Sequence, residues 1–223
     1  MTERPPDIGR PQGIDRPPGI GRPPGVDRPL GIDLFCGLGG LSLGMRMAGI
    51  EPAVGVDSWR AAVEAYSRNF PAAEFIVADV GDKRFQKELV ERWRGKAFVV
   101  CGGVPCQPFS VRNTKTKTGS GMPVEFAALA CRLRPRYVVM EEVRSIATME
   151  VAPGVSYLEA VEEVMRKRGY DVESRLLDAS EHGVPQRRKR WFVVGRRRGP
   201  GSDATPVFPE PRKSDPVPVG EAL

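Results

Sequence analysis

The chain has 223 residues, 40% of them hydrophobic and 28% charged, an ordinary composition for one domain with a substantial core. No run of about 18 apolar residues exists to cross a bilayer as a helix, and the Arg- and Pro-rich start lacks the apolar stretch of a secretory signal. Cys36, Cys101, Cys106 and Cys131 form no CxxC pair and His182 is the single histidine, which argues against a disulfide framework or a metal site, while a net charge of +6 points to a polyanionic partner.

Residues 1–30 form an arm with a six-residue repeat, "DIGRPQ", "GIDRPP", "GIGRPP", "GVDRPL". Proline in every unit blocks helix and central strand, so an extended, disordered arm with polyproline character is expected. Its arginines are either nucleic-acid contacts, diluted by Asp7, Asp15 and Asp27, or part of an inert expansion. From residue 31 strands and helices alternate. "GIDLF" reads as a strand, "CGLGG" as a turn and "LSLGMRMA" as a helix stopped by Gly49. "PAVGVD" is a second strand, followed by a helix over "WRAAVEAYSRNF". "EFIVADV" is a third, and the helix after it carries Phe85, Leu89 and Trp93 at helical spacing. "AFVVC" is the fourth strand; "VEFAALACRL" is helical and "YVVME" is the fifth strand. A helix over "SYLEAVEEVMRKRG" precedes the last two strands, "VESRLLDA" and "RWFVVGR". This pattern predicts an α/β, Rossmann-like domain over residues 31–198: a mostly parallel seven-stranded sheet with helices on both faces. Residues 199–223 read as a Pro-rich tail.

In such folds ligands bind at the carboxyl ends of the strands, and the first strand-to-helix turn carries the nucleotide site. Here that turn runs Asp33-Leu-Phe-Cys-Gly37-Leu-Gly39-Gly40, and Ser42 stands where GxGxxG needs glycine. Asp57 follows Asp33 by 24 residues and is suited to ribose hydroxyls; Asp79 ends the third strand in a similar position. Three acids at adjacent strand ends, without a phosphate-binding lysine, favour a nucleoside ligand lacking phosphates. S-adenosylmethionine, with its ribose, adenine and cationic sulfonium, fits. The alternative is that each acid merely caps a helix.

At the end of the fourth strand "VVCGGVPCQPFSV" sets Cys106 between Pro105 and Gln107-Pro108. A packed core cysteine needs no proline beside it, so the thiol sits on a rigid turn, as a nucleophile or as part of a purely structural turn. The segment 111–122, with Arg112, Lys115 and Lys117, is either a solvated loop or a lid over the site. A second basic cluster covers Arg187–Arg190 and Arg196–Arg198, and part of it is expected to face nucleic acid.

Four of these stretches, in order, resemble the C5-cytosine DNA methyltransferases: "DLFCGLGG", "PCQPFS", "MEEV" in place of Glu-Asn-Val, and "PQRRKRWFVVG". The resemblance covers residues 31–195, about three quarters of the chain. It implies a methyltransferase with S-adenosylmethionine as donor and a flipped-out cytosine in double-stranded DNA as acceptor, as in restriction–modification systems. It implies Cys106 as nucleophile, Glu141 at the cytosine N3, Arg190 at the cytosine O2 and Arg188 as its companion. The cofactor would meet Asp33, Phe35, Gly37, Gly39, Gly40, Asp57, Asp79, Val80 and Pro105, with no metal. A cytoplasmic, nucleoid-associated protein follows, and free thiols suit that reducing compartment.

Two departures stand out. Glu142 occupies the family's asparagine position; strand alternation turns it away from Glu141, toward a partner such as Arg136 or Arg144. Ser58 follows Asp57 where the family's adenine-stacking aromatic is expected, and Trp59 comes one residue later. After "FVVGRRR" the recognition domain and last two motifs of the family are not found before Leu223, which suggests a catalytic half that works with a second polypeptide. The tRNA-cytosine branch of the family and an inactive binding remnant are the alternatives.

Overall fold

The computed structural model describes residues 28–105, 121–199, 206, 208–211 and 220. Cys106, the basic segment with Arg112, Lys115 and Lys117, and most of the repeat arm lie outside these residues. The first half comprises β1 (Leu30–Leu34), α1 (Gly40–Met47), β2 (Glu51–Asp57), α2 (Ala62–Asn69), β3 (Glu74–Val77), α3 (Lys83–Trp93) and β4 (Val99–Gly103). The second comprises α4 (Met122–Arg132), β5 (Tyr137–Glu142), β6 (Glu150–Ala152), β7 (Val155–Ser156), α5 (Tyr157–Lys167), β8 (Tyr170–Asp178) and β9 (Lys189–Arg197). Seven strands form one sheet in the order β3-β2-β1-β4-β5-β9-β8. Only β9 is reversed, pairing antiparallel with both β5 and β8. The expected architecture is therefore present.

Alternation along the central strands explains the layers. On β4, Val100 joins a core with Phe126 and Leu129 of α4 and Val161 and Met165 of α5. Its neighbours Val99 and Cys101 point the other way and pack with Met45 of α1. On β2, Val54 and Val56 face the first core, and Gly55 leaves room for the Tyr66 ring of α2, which would lie 2.4 Å from a Cβ there. Helices α1 and α2 thus cover one face and α3, α4 and α5 the other, and a strand buried on both sides reads as continuous apolar sequence.

The element ends differ from the sequence reading in ways that bear on function. Strand β3 stops at Val77, so Asp79 lies in the following turn rather than on the strand. Helix α2 starts at Ala62, which leaves Trp59 in the β2–α2 turn and 54% exposed. The hairpin β6–β7 has strands of three and two residues, too short for a period-two signal.

Candidate active site

The order of the sheet reverses between β1 and β4, and the loops at the carboxyl edge on either side of that point hold two groups of residues. The first is the β1–α1 turn. Phe35, Gly37 and Gly39 all have positive φ, at 61°, 49° and 95°. A non-glycine residue held there is strained, and such strain clusters at ligand sites. Gly39 has no substitute: a Cβ would stand 2.3 Å from the Phe70 ring. Gly37 and Gly40, by contrast, face open space, with nothing within 4 Å of a Cβ.

Asp57 ties this turn to the next. One carboxylate oxygen accepts the Gly37 N–H and the other the Trp59 N–H, both at 2.8 Å. Each oxygen keeps a further lone pair for a ligand hydroxyl. Asp79 is exposed and accepts the Gly81 N–H at 2.8 Å. Two of the expected contacts are placed differently. Asp33 is wholly buried inside β1, opposite Gly55 and Cys101, and does not reach the cleft. Its Oδ2 accepts the Ser42 N–H at 3.0 Å and the Ser42 hydroxyl at 2.7 Å, and that hydroxyl also meets the Tyr66 hydroxyl at 2.9 Å. Desolvation raises the Asp33 carboxyl to about 6 against the opposing pull of Ser42. Asp33 therefore anchors the start of α1 from behind the turn. The Val80 side chain is likewise in the core, 2% exposed, so any ligand contact falls to its backbone.

The second group gathers at the ends of β4, β5 and β9. Glu141 and Glu142 point to opposite faces, as expected from alternation. Glu142 is 2% exposed and accepts the Val143 N–H at 2.9 Å. Glu141 faces the cleft: its Oε1 pairs with Arg190 Nε at 3.0 Å and lies 3.9 Å from an Arg188 guanidinium nitrogen. Its Oε2 would stand 3.4 Å from a Cβ on Gly103, so glycine at the end of β4 leaves the carboxylate room. Pro105, exposed, follows two residues later and leads directly to Cys106.

Asp178, at the end of β8, was not singled out from sequence. Its Oδ1 accepts the Ser180 N–H, the Ser180 hydroxyl and the Arg188 N–H at 3.1, 2.9 and 3.1 Å. The Ser180 bonds, with Arg188 beside them, hold this carboxyl below the usual carboxylate range. It closes the base of the loop that delivers Arg188 and Arg190. The Asp-x-Ser spacing of an Asx turn was its signal. The described cysteines are poor nucleophiles: Cys36, Cys101 and Cys131 are buried, and burial pushes each thiol up, Cys131 to about 12.

The family description "C-5 cytosine-specific DNA methylase" matches residues 31–218. The chain belongs to the C-5 cytosine-specific DNA methylase family. Among its relatives, the type II methyltransferase M.HindV of Haemophilus influenzae is 31% identical over 193 residues, covering 85% of this chain and 60% of that protein. The type II methyltransferase M.HgiDI of Herpetosiphon aurantiacus is 34% identical, covering 78% and 54%. Among solved structures, a putative DNA modification methyltransferase from an Escherichia coli prophage superposes with a TM-score of 0.71 at 26% identity, covering 87% of this chain and 54% of that one. The chain spans a little over half the length of these relatives. No helix among the described residues is long and apolar enough to cross a membrane, and no group of three or more metal-ligating side chains occurs among them.

Proposed function

We propose that this chain transfers a methyl group from S-adenosylmethionine to C5 of a cytosine flipped out of double-stranded DNA, through a covalent cysteine adduct. The observation that carries the reading is the meeting of Glu141 with Arg190 and Arg188 beside Gly103, three residues before Cys106. The β1–α1 turn suits the cofactor. Gly37 and Gly40 open the backbone to close approach, Asp57 retains acceptor capacity for ribose hydroxyls, and residues 33–45 contain no cation to hold a phosphate. Phe35, Gly39, Asp79, Val80 through its backbone, and Pro105 complete that surface, with Asp33 acting from behind. When bound, the cofactor supplies an electrophilic methyl group.

The protein's own residues solve the problem that C5 is a weak nucleophile. Addition of the Cys106 thiolate to C6 breaks aromaticity and moves electron density to C5. Glu141 holds the proton at N3 that the adduct needs, and Arg190 contacts O2. Arg188 and Arg190 together keep Glu141 aimed and add positive charge that favours the thiolate. Removal of the C5 proton and β-elimination then release Cys106. The base must leave the stack because C5 and C6 are unreachable within a duplex. In this proposal the residues that choose the target sequence come from a second polypeptide.

DNA carrying 5-fluorocytosine traps the adduct, because fluorine cannot leave as a proton does. Mass spectrometry is expected to map the trapped peptide to Cys106, and Cys106→Ser should abolish transfer while cofactor binding stays near normal. An adduct on any other cysteine overturns the assignment.

A further inference from the structure

The edge of the sheet opposite the candidate active site carries a second set of cations. Four contacts lay its segments side by side. Arg94 donates to the Arg132 carbonyl at 3.2 Å and Gly95 N–H to the Leu133 carbonyl at 2.8 Å. Arg197 N–H donates to the Arg136 carbonyl at 2.9 Å and Arg198 N–H to the Gly169 carbonyl at 2.8 Å. The ends of α3, α4 and α5 and the end of β9 therefore meet there, presenting Arg94, Lys96, Arg132, Arg134, Arg168 and Arg198, all exposed. Among the described residues, only Arg198 of these six pairs with a carboxylate, that of Asp171.

Helix C-termini favour cations, which accounts for Arg94 on the Arg132 carbonyl of α4 and Arg168 on the Val164 carbonyl of α5. It does not account for Lys96, Arg134 or Arg198, which lie beyond the helices. Arg134 is the most telling. It stands just after the end of α4 with φ 54°, the place where glycine is preferred, and its side chain is exposed. The fold accepts a strained residue and presents a charge. The exposed large hydrophobic residues, Leu38, Leu43, Met47, Trp59, Val77, Val151, Val155 and Val184, all fall outside the segments 94–96, 132–136, 168–169 and 197–198. A protein partner generally meets an apolar centre with a polar rim. An Arg-dominated strip, in which the Asp171 carboxylate is paired with Arg198, matches phosphate oxygens instead.

We propose that this edge binds the phosphate backbone of a second duplex DNA segment, without sequence choice. The choice of DNA rests on the functional reading above, in which duplex DNA is the substrate of the opposite edge. Strand β9 runs from one edge to the other over nine residues, eight rises of about 3.3 Å or roughly 26 Å in all. One straight duplex cannot lie along both edges, so the two sites hold separate segments.

The test is equilibrium binding of a short labelled mixed-sequence duplex to the full chain, without methyl donor, across a salt titration. The wild type is expected to take two duplexes. The variant Arg94→Ala/Lys96→Ala/Arg134→Gly/Arg168→Ala is expected to take one. The slope of log affinity against log salt for the site it loses is expected to account for about 0.9 per phosphate contact removed. Arg134→Gly alone should keep or raise the melting temperature while weakening the second site, which separates lost binding from lost folding. A wild type that takes one duplex, the result expected of an edge built for an acidic protein, overturns the proposal, as does a variant with unchanged stoichiometry and slope. A chain that binds two duplexes but transfers no methyl group even when a polypeptide carrying a recognition domain is added would count against the functional reading alone.

Discussion

Among the residues of the candidate active site, Glu141 and Glu142 are neighbours with opposite surroundings. Glu141 lies against two guanidinium groups at the cleft, and Glu142 is buried behind it. Glu141→Gln is expected to cut turnover by about a hundredfold or more, the usual scale for a positioned proton donor. Glu142→Asn keeps an acceptor for the Val143 N–H and should be mild. Single-turnover methyl transfer measures both, and the reverse pattern would contradict the assigned roles. Asp33 gives a pH signature. Its carboxyl is raised from 3.8 to about 6 by burial, so between those values the unfolded chain has lost a proton that the native chain still holds. Stability from this group therefore falls as pH rises through that window, by about 3 kcal/mol at most. Asp33→Asn should remove the decline, seen as a wild-type-minus-variant difference in urea midpoint that shrinks from pH 4 to pH 7. Asp178, held low, acts with the opposite sign: its contribution is present near neutrality and is lost as pH falls below the ordinary carboxylate range.

At the scale of elements, β9 and the loop before it decide whether the cleft is complete. The loop from Ala179 to Arg188 is closed at its base by the Ala179 N–H on the Arg188 carbonyl at 3.0 Å, and by Asp178 on the Arg188 N–H. Asp178 touches no reacting atom in the proposed chemistry; it positions Arg188. Asp178→Ala is expected to lower kcat about tenfold with little change in KM for DNA, the pattern of a lost transition-state contact. Asp178→Asn, which retains the acceptor, should recover most of the rate. A KM effect alone would mean that the loop serves binding and not the aim of Glu141.

For the whole molecule, the proposed function makes charge the governing quantity. The chain carries a net +6, with cations at both edges of the sheet. Contacts to phosphate add affinity without sequence choice, so duplex binding by this chain alone should be weak and steeply salt-dependent. Four phosphate contacts imply about a hundredfold loss when salt rises fourfold. Addition of a second polypeptide carrying a recognition domain should raise affinity and methyl transfer together. Robust site-specific methylation by the lone chain, assayed with tritiated donor at low and physiological salt, would overturn that part of the proposal.

The amino-acid sequence by itself determined the alternation of strands and helices, the glycine turn after β1 and the opposite facing of Glu141 and Glu142. Each depends on periodicity or backbone freedom within a few residues, and such local preferences are written directly in the chain. Partnership across the sheet was not legible. Asp33 looked like a ligand contact and instead lies inside β1 bound to Ser42, because only the packing of α1 and α2 decides which carboxylates stay wet. Arg187–Arg190 and Arg196–Arg198 looked like one basic cluster. The reversed, nine-residue β9 carries them to opposite edges, one beside Glu141 and the other beside Arg136 and Gly169. Register and strand direction are set by the sum of many long-range contacts, and only the folded chain decides them.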